Sequence, residues 1–526
     1  MHRPTADTEA GRVQGIVCRD RAVTVFRGIP YAAPPVGELR WRPPRPPVPW
    51  EGVRQADRFG PMCPQAPTEA AATGVDVPMS EDCLSLNIWT GAPSREEHRP
   101  VLVWIYGGGF RGGTGAHPRY DGEHLARTGT VVVTFNYRLG ALGFLAAPEL
   151  SEESEHGTSG NYGLLDCVAV LRWVRDNIEH FGGDPGRVTV AGQSAGAGLV
   201  NFLAMSPLAK GLFHRAIAQS HARYARDPEL RYLSTSYRLP ADAESAGIQY
   251  VREHGARGIA ELRSLDWHKL IDGHHPVDIG VDTGGTAAPP LLRPVVDGWA
   301  VPAGYDETYT KGLQNDVDYL TGNNLDESGA VPDSLVAALR TGRRTVRPGS
   351  PPVHVTLEQH RAAAHRKFGP LAEEFLRLYP AATDDEAARA SSTAARDNSR
   401  LSTCLWGGDW TRRTTRSLHT YFWTHRGQGL RGASHGSEID YVFGNPEGGT
   451  ASWTDEDHEV ARILCAYWTN FAASGDPNGT GLPHWPAFSP DTAAVMEIGA
   501  RCRPVPVADP ARTDFWLRFF RTQQAW

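Results

Sequence analysis

Short apolar runs bounded by turn-forming residues recur along the chain and predict buried strands, because parallel strands are covered on both faces. The runs lie at 84–89, 101–106, 129–137, 187–191, 216–220, 317–322 and 419–425. Residues 163–181 instead carry apolar side chains at helical spacing and end at Gly182, which favours a helix stop. Helical patterns separate most of the runs. This alternation predicts an α/β fold with a mostly parallel central sheet and helices on both faces.

No repeat or linker divides the sequence, which predicts a single domain over residues 1–526. Two stretches, 222–315 and 328–417, are polar, rich in arginine and weakly patterned. We interpret them as large insertions of helix and loop that cap the edge of the sheet.

Composition and charge narrow the classes of function. The net charge is −7 and the isoelectric point is near 6.3, whereas nucleic-acid binders usually carry a basic domain or stripe. No run approaches the 18–20 apolar residues of a membrane span, and the first residues lack the apolar run of a secretory signal. We therefore expect a cytoplasmic protein without nucleic-acid or membrane partners. The sequence does not decide the oligomeric state.

The sharpest local motif is Gly-Gln-Ser-Ala-Gly at 192–196, between a β-branched run and a stretch of small residues that opens a helix. This context is typical of a nucleophile elbow, a strained strand-to-helix turn that exposes a serine. The same pattern recurs at 432–436, but a polar segment precedes it and no strand leads into it. We therefore assign the nucleophile to Ser194 rather than to Ser434.

A second glycine motif, Gly107-Gly108-Gly109-Phe110, follows the predicted strand 101–106. Glycines let backbone amides turn toward a developing oxyanion. The pattern also fits a dinucleotide-binding loop, which requires a helix at once and an acidic residue after the next strand. Pro118 interrupts that helix, and residues 136–138 read Asn-Tyr-Arg without a carboxylate. We predict no cofactor, and since no metal-binding motif is present, no metal site.

A serine nucleophile requires a base and an orienting acid. His435 lies in a glycine-rich loop after the run 419–425, and Glu327 follows the run 317–322. Both positions are at the carboxyl ends of predicted strands, where α/β enzymes place their sites. Asp326 is the closest alternative for the acid. The chain order Ser194, Glu327, His435 is that of α/β-hydrolases.

Together these residues resemble the type B carboxylesterase/lipase family, which includes para-nitrobenzyl esterases. The likeness extends over nearly the whole chain and includes the runs SEDCLSLN, YGGGF, NYRLGALGFL, GQSAG, NNLDES and SHGSEIDYVFG. It implies an α/β-hydrolase fold and a carboxylesterase that needs no cofactor and acts on a small-molecule ester. The residues that it implies are the triad Ser194, Glu327 and His435 and the oxyanion amides of Gly108, Gly109 and Ala195.

The resemblance also implies structural features outside the triad. Two ion pairs would hold loops in place, Arg40 with Glu81 and Arg138 with Asp166. Cys63 and Cys83 match the first disulfide of the family, a bridge that a reducing cytoplasm would not preserve.

Three departures from the family pattern bear on specificity. Gln193 replaces a glutamate found in many members, and the loss of that charge favours neutral esters. The segment 63–83 contains no aromatic residue, whereas cholinesterases need a tryptophan there to bind choline. His221 replaces a glycine, and we expect it to pack or lie at the surface.

We therefore predict a serine carboxylic-ester hydrolase that works through an acyl-enzyme. Acyl transfer, or hydrolysis of an amide or carbamate by the same triad, is the alternative. A non-catalytic binding protein on the same fold is disfavoured, because the three triad residues are intact.

Overall fold

The computed structural model describes residues 4–18, 22–221, 224–231, 237–271, 277–278, 289–345, 352–427, 432–445, 452–492 and 494–526. The strands are β1 (Thr5–Thr8), β2 (Gly11–Gln14), β3 (Ile16–Val17), β4 (Thr24–Pro30), β5 (Val53–Gln55), β6 (Ser85–Thr90), β7 (Arg99–Ile105), β8 (Val131–Phe135), β9 (Gly183–Gln193), β10 (Arg215–Gln219), β11 (Asp318–Asn324), β12 (Leu418–Trp423), β13 (Ala494–Ile498) and β14 (Arg503–Pro506).

Helices follow most of the strands. They are α1 (Pro67–Ala72), α2 (Glu123–Arg127), α3 (Gly140–Phe144), α4 (Pro148–Glu152), α5 (Tyr162–Asn177), α6 (Ala195–Met205), α7 (Pro240–Glu253), α8 (Ile259–Ser264), α9 (Trp267–Ile271), α10 (Tyr305–Lys311), α11 (Asp333–Arg340), α12 (Leu357–Phe368), α13 (Ala372–Leu378), α14 (Asp384–Thr411), α15 (Ile439–Phe443), α16 (Asp455–Ser474) and α17 (Pro510–Arg521).

Within these described residues, one sheet of 11 strands runs through the molecule in the order β14-β13-β12-β11-β10-β9-β7-β8-β6-β4-β3. Every pairing from β13 to β8 is parallel, and the pairings at the two edges are antiparallel. The prediction of a mostly parallel sheet is confirmed. A smaller sheet joins β1, β2 and β5 near the amino terminus.

All seven apolar runs form strands, β6 to β12, and the helical pattern at 163–181 forms α5 and a following 3₁₀ turn. Gly182 ends that turn with φ of 78°, a conformation that glycine adopts without steric cost. The short strands at the sheet edges, β3, β4, β13 and β14, were not predicted.

The insertion at 328–417 is more regular than its sequence suggests. It contains α14, a helix of 28 residues that packs against β11 and β12. Because both strands lie inside the sheet order, α14 covers a face of the sheet, and the capping of an edge by this insertion stays a prediction. Parts of both insertions, such as 279–288 and 346–351, lie outside the described residues. The single-domain organisation stays a prediction.

Both ion pairs expected from the family resemblance are present and buried. Arg40 contacts Glu81 at 2.6 Å, and Arg138 contacts Asp166 at 2.7 Å. Each arginine also donates to backbone carbonyl groups of other segments, so the pairs connect distant parts of the chain.

Cys63 and Cys83 are buried next to each other as free thiols, not as the disulfide that the resemblance implies. A hydrogen bond with the neighbouring Cys63 thiol, together with burial, raises the pKa of Cys83. In the part of the chain that the structure describes, no helix is both long and apolar enough to cross a membrane.

Candidate active site

Each of the three predicted triad residues follows a strand of the central sheet, on the side where these strands have their carboxyl ends. Ser194 comes directly after β9, Glu327 follows β11, and His435 lies in the loop after β12. Because β9, β10, β11 and β12 are adjacent and parallel, their carboxyl ends meet along one edge of the sheet. The order of the strands therefore gathers residues that are far apart in sequence.

Ser194 has a strained backbone at the junction of β9 and α6, with φ of 59° and ψ of −125°. Its N–H donates to the carbonyl of Gln219 at the end of β10 (3.0 Å), which fixes the turn to the sheet. Small neighbours are required: a Cβ on Gly196 would lie 2.0 Å from the Ile105 carbonyl oxygen. This geometry is that of a nucleophile elbow.

Glu327 is the carboxylate that contacts His435. Its Oε2 lies 2.6 Å from Nδ1 of the imidazole, and its Oε1 accepts from the Asn324 N–H at 2.6 Å. The neighbouring Asp326 instead accepts from Arg396 at 2.7 Å and from the backbone N–H of Ala433. The structure thus separates the two acids that the sequence pattern left open.

Two carboxylates set the charge around His435, although half of its side chain is exposed. Loss of surrounding water opposes protonation, but the hydrogen bond and charge of Glu327, with the charge of Glu438, outweigh it and raise the pKa of His435. Glu438 is fully buried, and burial raises its own pKa even though Asn324 and Gln219 donate to it. Sequence analysis did not identify Glu438, whose environment depends on the fold.

Among the described residues, no hydrogen bond joins the Ser194 hydroxyl to His435. The side-chain amide of Gln193 contacts the imidazole instead, with its Nε2 at 3.1 Å from Nε2 and 3.5 Å from Nδ1 of His435. The sequence drew attention to Gln193 for its lack of charge, but not for this contact.

The glycine loop lies against the elbow. A Cβ on Gly107 would lie 2.9 Å from Cβ of Ser194, and Gly108 and Gly109 have φ of 121° and 62°. The loop turns back on itself as the N–H groups of residues 111 and 112 donate to the Gly108 carbonyl. Ala195 is the first residue of α6, where backbone amides lack intrahelical partners. These amides could stabilise an oxyanion near Ser194.

The surroundings of the loop do not fit a dinucleotide site. After Gly109 the next α-helix is α2, which begins only at Glu123. The residues that the structure describes contain no group of three histidine, cysteine or acidic side chains able to hold a metal ion. His221 is buried, and its Nε2 lies 3.3 Å from the hydroxyl of Tyr305, as expected of a packed side chain.

Comparisons with known proteins agree with this geometry. The model of the carboxylesterase family matches residues 2–516. Fumonisin B1 esterase of Sphingopyxis macrogoltabida is 38% identical over 94% of this chain and 86% of its own length. Phenmedipham hydrolase of Pseudarthrobacter oxydans is 35% identical, over 94% and 95%. The solved structure of a PNB esterase, 28% identical, superposes with a TM-score of 0.78 over 98% of this chain and 99% of its own.

Proposed function

The chain belongs to the carboxylesterase family and is an ester hydrolase with the α/β-hydrolase fold, and we propose that it cleaves neutral carboxylic esters through an acyl-enzyme on Ser194. The contact of His435 with Glu327 at 2.6 Å, beside the strained serine, carries this proposal. A buried carboxylate on Nδ1 leaves Nε2 as the only nitrogen of a neutral imidazole that can accept a proton.

In the acylation step, the Ser194 hydroxyl oxygen attacks the ester carbonyl carbon and its proton passes to Nε2 of His435. Glu327 holds the ring in this tautomer and stabilises the imidazolium. The carbonyl oxygen becomes an oxyanion and accepts hydrogen bonds from the amides of Gly108, Gly109 and Ala195. Loss of one such donor typically costs about 3 kcal/mol of transition-state stabilisation.

The tetrahedral intermediate then collapses. The bond from carbon to the alkoxy oxygen breaks, and His435 returns the proton to that oxygen, so the alcohol leaves. Water then attacks the acyl carbon while His435 takes its proton; the bond from that carbon to the Ser194 oxygen breaks, His435 returns the proton to that oxygen, and the carboxylic acid leaves. Each step uses side chains and backbone amides of this chain.

The uncharged Gln193 supports the preference for neutral substrates. It is buried beside Ser194, where a carboxylate would attract cations. We also expect no nucleic-acid partner, in view of the net charge of −7.

A second candidate is hydrolysis of an amide or carbamate, or acyl transfer, by the same residues. One relative is named for its action on phenmedipham rather than for an esterase, which favours testing substrates beyond simple esters. The acyl-enzyme would be common to all of these reactions.

The test is hydrolysis of p-nitrophenyl esters from acetate to decanoate by the wild type, Ser194→Ala and Ser434→Ala. Loss of a triad serine lowers turnover by about 10⁶-fold. We expect that loss in Ser194→Ala only, since Ser434 is exposed in the second Gly-x-Ser-x-Gly sequence. The chain-length optimum would measure the acyl pocket. Activity retained by Ser194→Ala would refute the assignment.

A further inference from the structure

The glycine loop after β7, residues 107–113, is held by the side chain of Gln65. The amide nitrogen of Gln65 donates to the Gly113 carbonyl oxygen at 3.0 Å, and its amide oxygen accepts from the Gly113 N–H at 2.8 Å. Among the hydrogen bonds of the described residues, Gln65 is the only partner of these two backbone groups. One side chain therefore holds both polar groups of the same backbone residue, as a neighbouring strand would.

Gln65 is itself fixed in place. It is only 2% exposed, and its amide nitrogen also donates to the carbonyl oxygen of Cys63 at 3.0 Å. Both hydrogens of the amide nitrogen therefore have acceptors. The sulfur of Cys63 in turn accepts from the N–H of Leu139, just after β8, at 3.3 Å. The side chain that holds the loop is thus anchored to the segment that follows a strand of the central sheet.

Gly113 lies on the returning arm of the loop, against the arm that carries the expected oxyanion donors. A Cβ on Gly113, which has φ of 121°, would lie 2.9 Å from the carbonyl oxygen of Gly107. One residue earlier, the Gly112 carbonyl oxygen would overlap a Cβ on Gly108. The two arms are in direct backbone contact, so a shift of the returning arm must displace Gly108 as well.

We propose that Gln65 is a positioning residue for the oxyanion site, which fixes the turn that presents the amides of Gly108 and Gly109. The inference rests on the proposed function, because that function assigns these amides to the oxyanion. Such donors stabilise a transition state only when they are already in place, and a displacement of about 1 Å can cost about 10²-fold in rate.

The effect of Gln65 should pass through the loop and not through the base. Within the described part of the chain, the hydrogen bonds of the Gln65 side chain go to Cys63 and Gly113 and not to the triad. The carboxylates that act on His435 are Glu327 and Glu438. A substitution of the uncharged Gln65 should therefore leave the acid limb of the pH profile where it is.

The chain contains a matched contact on a different pair of segments. Nδ2 of Asn161 donates to the Val295 carbonyl oxygen at 2.8 Å, and its Oδ1 accepts from the Val295 N–H at 3.0 Å. Asn161 is also 2% exposed, and its amide nitrogen makes a further bond, to Asp297 at 2.9 Å. Loss of either amide leaves one backbone N–H and one carbonyl unpaired, so Asn161→Leu controls for the loss of stability.

The experiment compares wild type, Gln65→Met, Gln65→Asn and Asn161→Leu in the hydrolysis of p-nitrophenyl butyrate and in inhibition by butyl trifluoromethyl ketone. The Ser194 oxygen adds to the ketone carbon, its proton passes to His435, and the ketone oxygen becomes an oxyanion without a group leaving. The inhibition constant describes active molecules only. A smaller folded fraction therefore lowers the apparent kcat but leaves the inhibition constant unchanged.

We expect Gln65→Met to raise the inhibition constant and to lower kcat/KM by the same factor, about 10- to 100-fold, with the acid limb at the wild-type pH. Gln65→Asn keeps a polar amide but is too short to make both bonds to Gly113. It should change both constants in the same direction by about 3- to 10-fold, and it provides the test if Gln65→Met does not fold. Asn161→Leu should lose stability while its inhibition constant stays at the wild-type value.

Other outcomes overturn the proposal. Inhibition constants of the Gln65 variants equal to wild type, with or without a lower kcat, would show that Gln65 only stabilises the fold. An acid limb that moves would show that the substitution disturbs His435 instead. The proposed function is tested separately by labelling wild type with a fluorophosphonate and locating the modified residue by mass spectrometry. If Ser194 is not labelled, the proposed function fails together with this inference, whereas labelling with equal inhibition constants overturns only the inference.

Discussion

Glu327 acts on His435 through a hydrogen bond and through its charge, and a single substitution removes the charge while preserving the shape. In Glu327→Gln the pKa of His435 should fall, because a raising influence is lost. The neutral ring is the active form, so the acid limb of kcat/KM should move to lower pH by about one unit or more. Turnover should fall by about 10⁴-fold, since the amide no longer fixes the tautomer. The pH profile of p-nitrophenyl butyrate hydrolysis measures both effects.

Asp326→Asn is the matched control for that variant. Asp326 is adjacent in sequence but bonds to Arg396 and the Ala433 N–H, not to the imidazole. We expect Asp326→Asn to lower the thermal stability and to leave the acid limb of the kcat/KM profile at the same pH as in wild type. The triad assignment would be wrong if the limb moved in Asp326→Asn and not in Glu327→Gln.

Single residues could be predicted from the sequence only where the motif constrains them. Ser194 is fixed by its place between a strand and a helix of small residues. Asp326 and Glu327 lie in the same loop and each carries a carboxylate, so the local pattern could not separate them. Only the family resemblance decided for Glu327. Gln193 contacts His435 across 242 positions of sequence, and Glu438 accepts a hydrogen bond from Asn324 across 114 positions, so local sequence could reveal neither contact.

At the scale of elements, the close approach of α6 to the end of β7, beside β9, depends on Gly196. A Cβ there would lie 2.0 Å from the Ile105 carbonyl oxygen, a backbone atom that cannot move without shifting β7. Overpacking of this kind typically costs about 1–3 kcal/mol, and more where the backbone must yield. We expect Gly196→Ala to lower the urea midpoint of unfolding and to abolish the labelling of Ser194 by a fluorophosphonate. A variant that kept both would show that the elbow tolerates separation of the strand and helix.

Gly408→Ala is the control for that glycine. Gly408 lies within α14, and nothing approaches an added Cβ within 4 Å. Alanine is favoured over glycine in helix interiors by about 1 kcal/mol. We expect this variant to be slightly more stable and fully active.

The elements that could be predicted are those buried on both faces. Strands β6 to β12 form the middle of the sheet, where both faces are covered and the strands carry short apolar runs. At the edges the signal weakens: β14 reads Arg-Pro-Val-Pro and is largely exposed. The helix α14 was missed because its buried face is built mainly from alanine, serine and glycine, although Thr383 and Glu386 form a capping box that marks its start.

Across the whole molecule, buried arginines fasten the amino-terminal coil to the sheet. Arg138 follows β8, pairs with Asp166 of α5 and donates to the carbonyl of Arg42 at 2.7 Å. Arg40 pairs with Glu81 and donates to the carbonyl of Arg263 in α8. These contacts link segments that are distant in sequence, and the family resemblance, rather than local pattern, predicted the two pairs.

The Arg138–Asp166 pair should therefore matter far more than an exposed pair of similar geometry. Asp166 is fully buried, so Arg138→Leu leaves a carboxylate without a countercharge or water, which typically costs 3–5 kcal/mol, as an approximate range. The exposed Arg12–Asp7 pair, at the same 2.7 Å, should contribute far less, because solvent screens it, so Arg12→Ala should change the stability little. Urea unfolding of the two variants measures the difference. Adding Asp166→Asn to Arg138→Leu should recover part of the loss, because the unpaired charge is removed. Equal losses of stability in the two variants would contradict the prediction that burial of an ion pair, rather than the distance between its charges, decides the cost of breaking it.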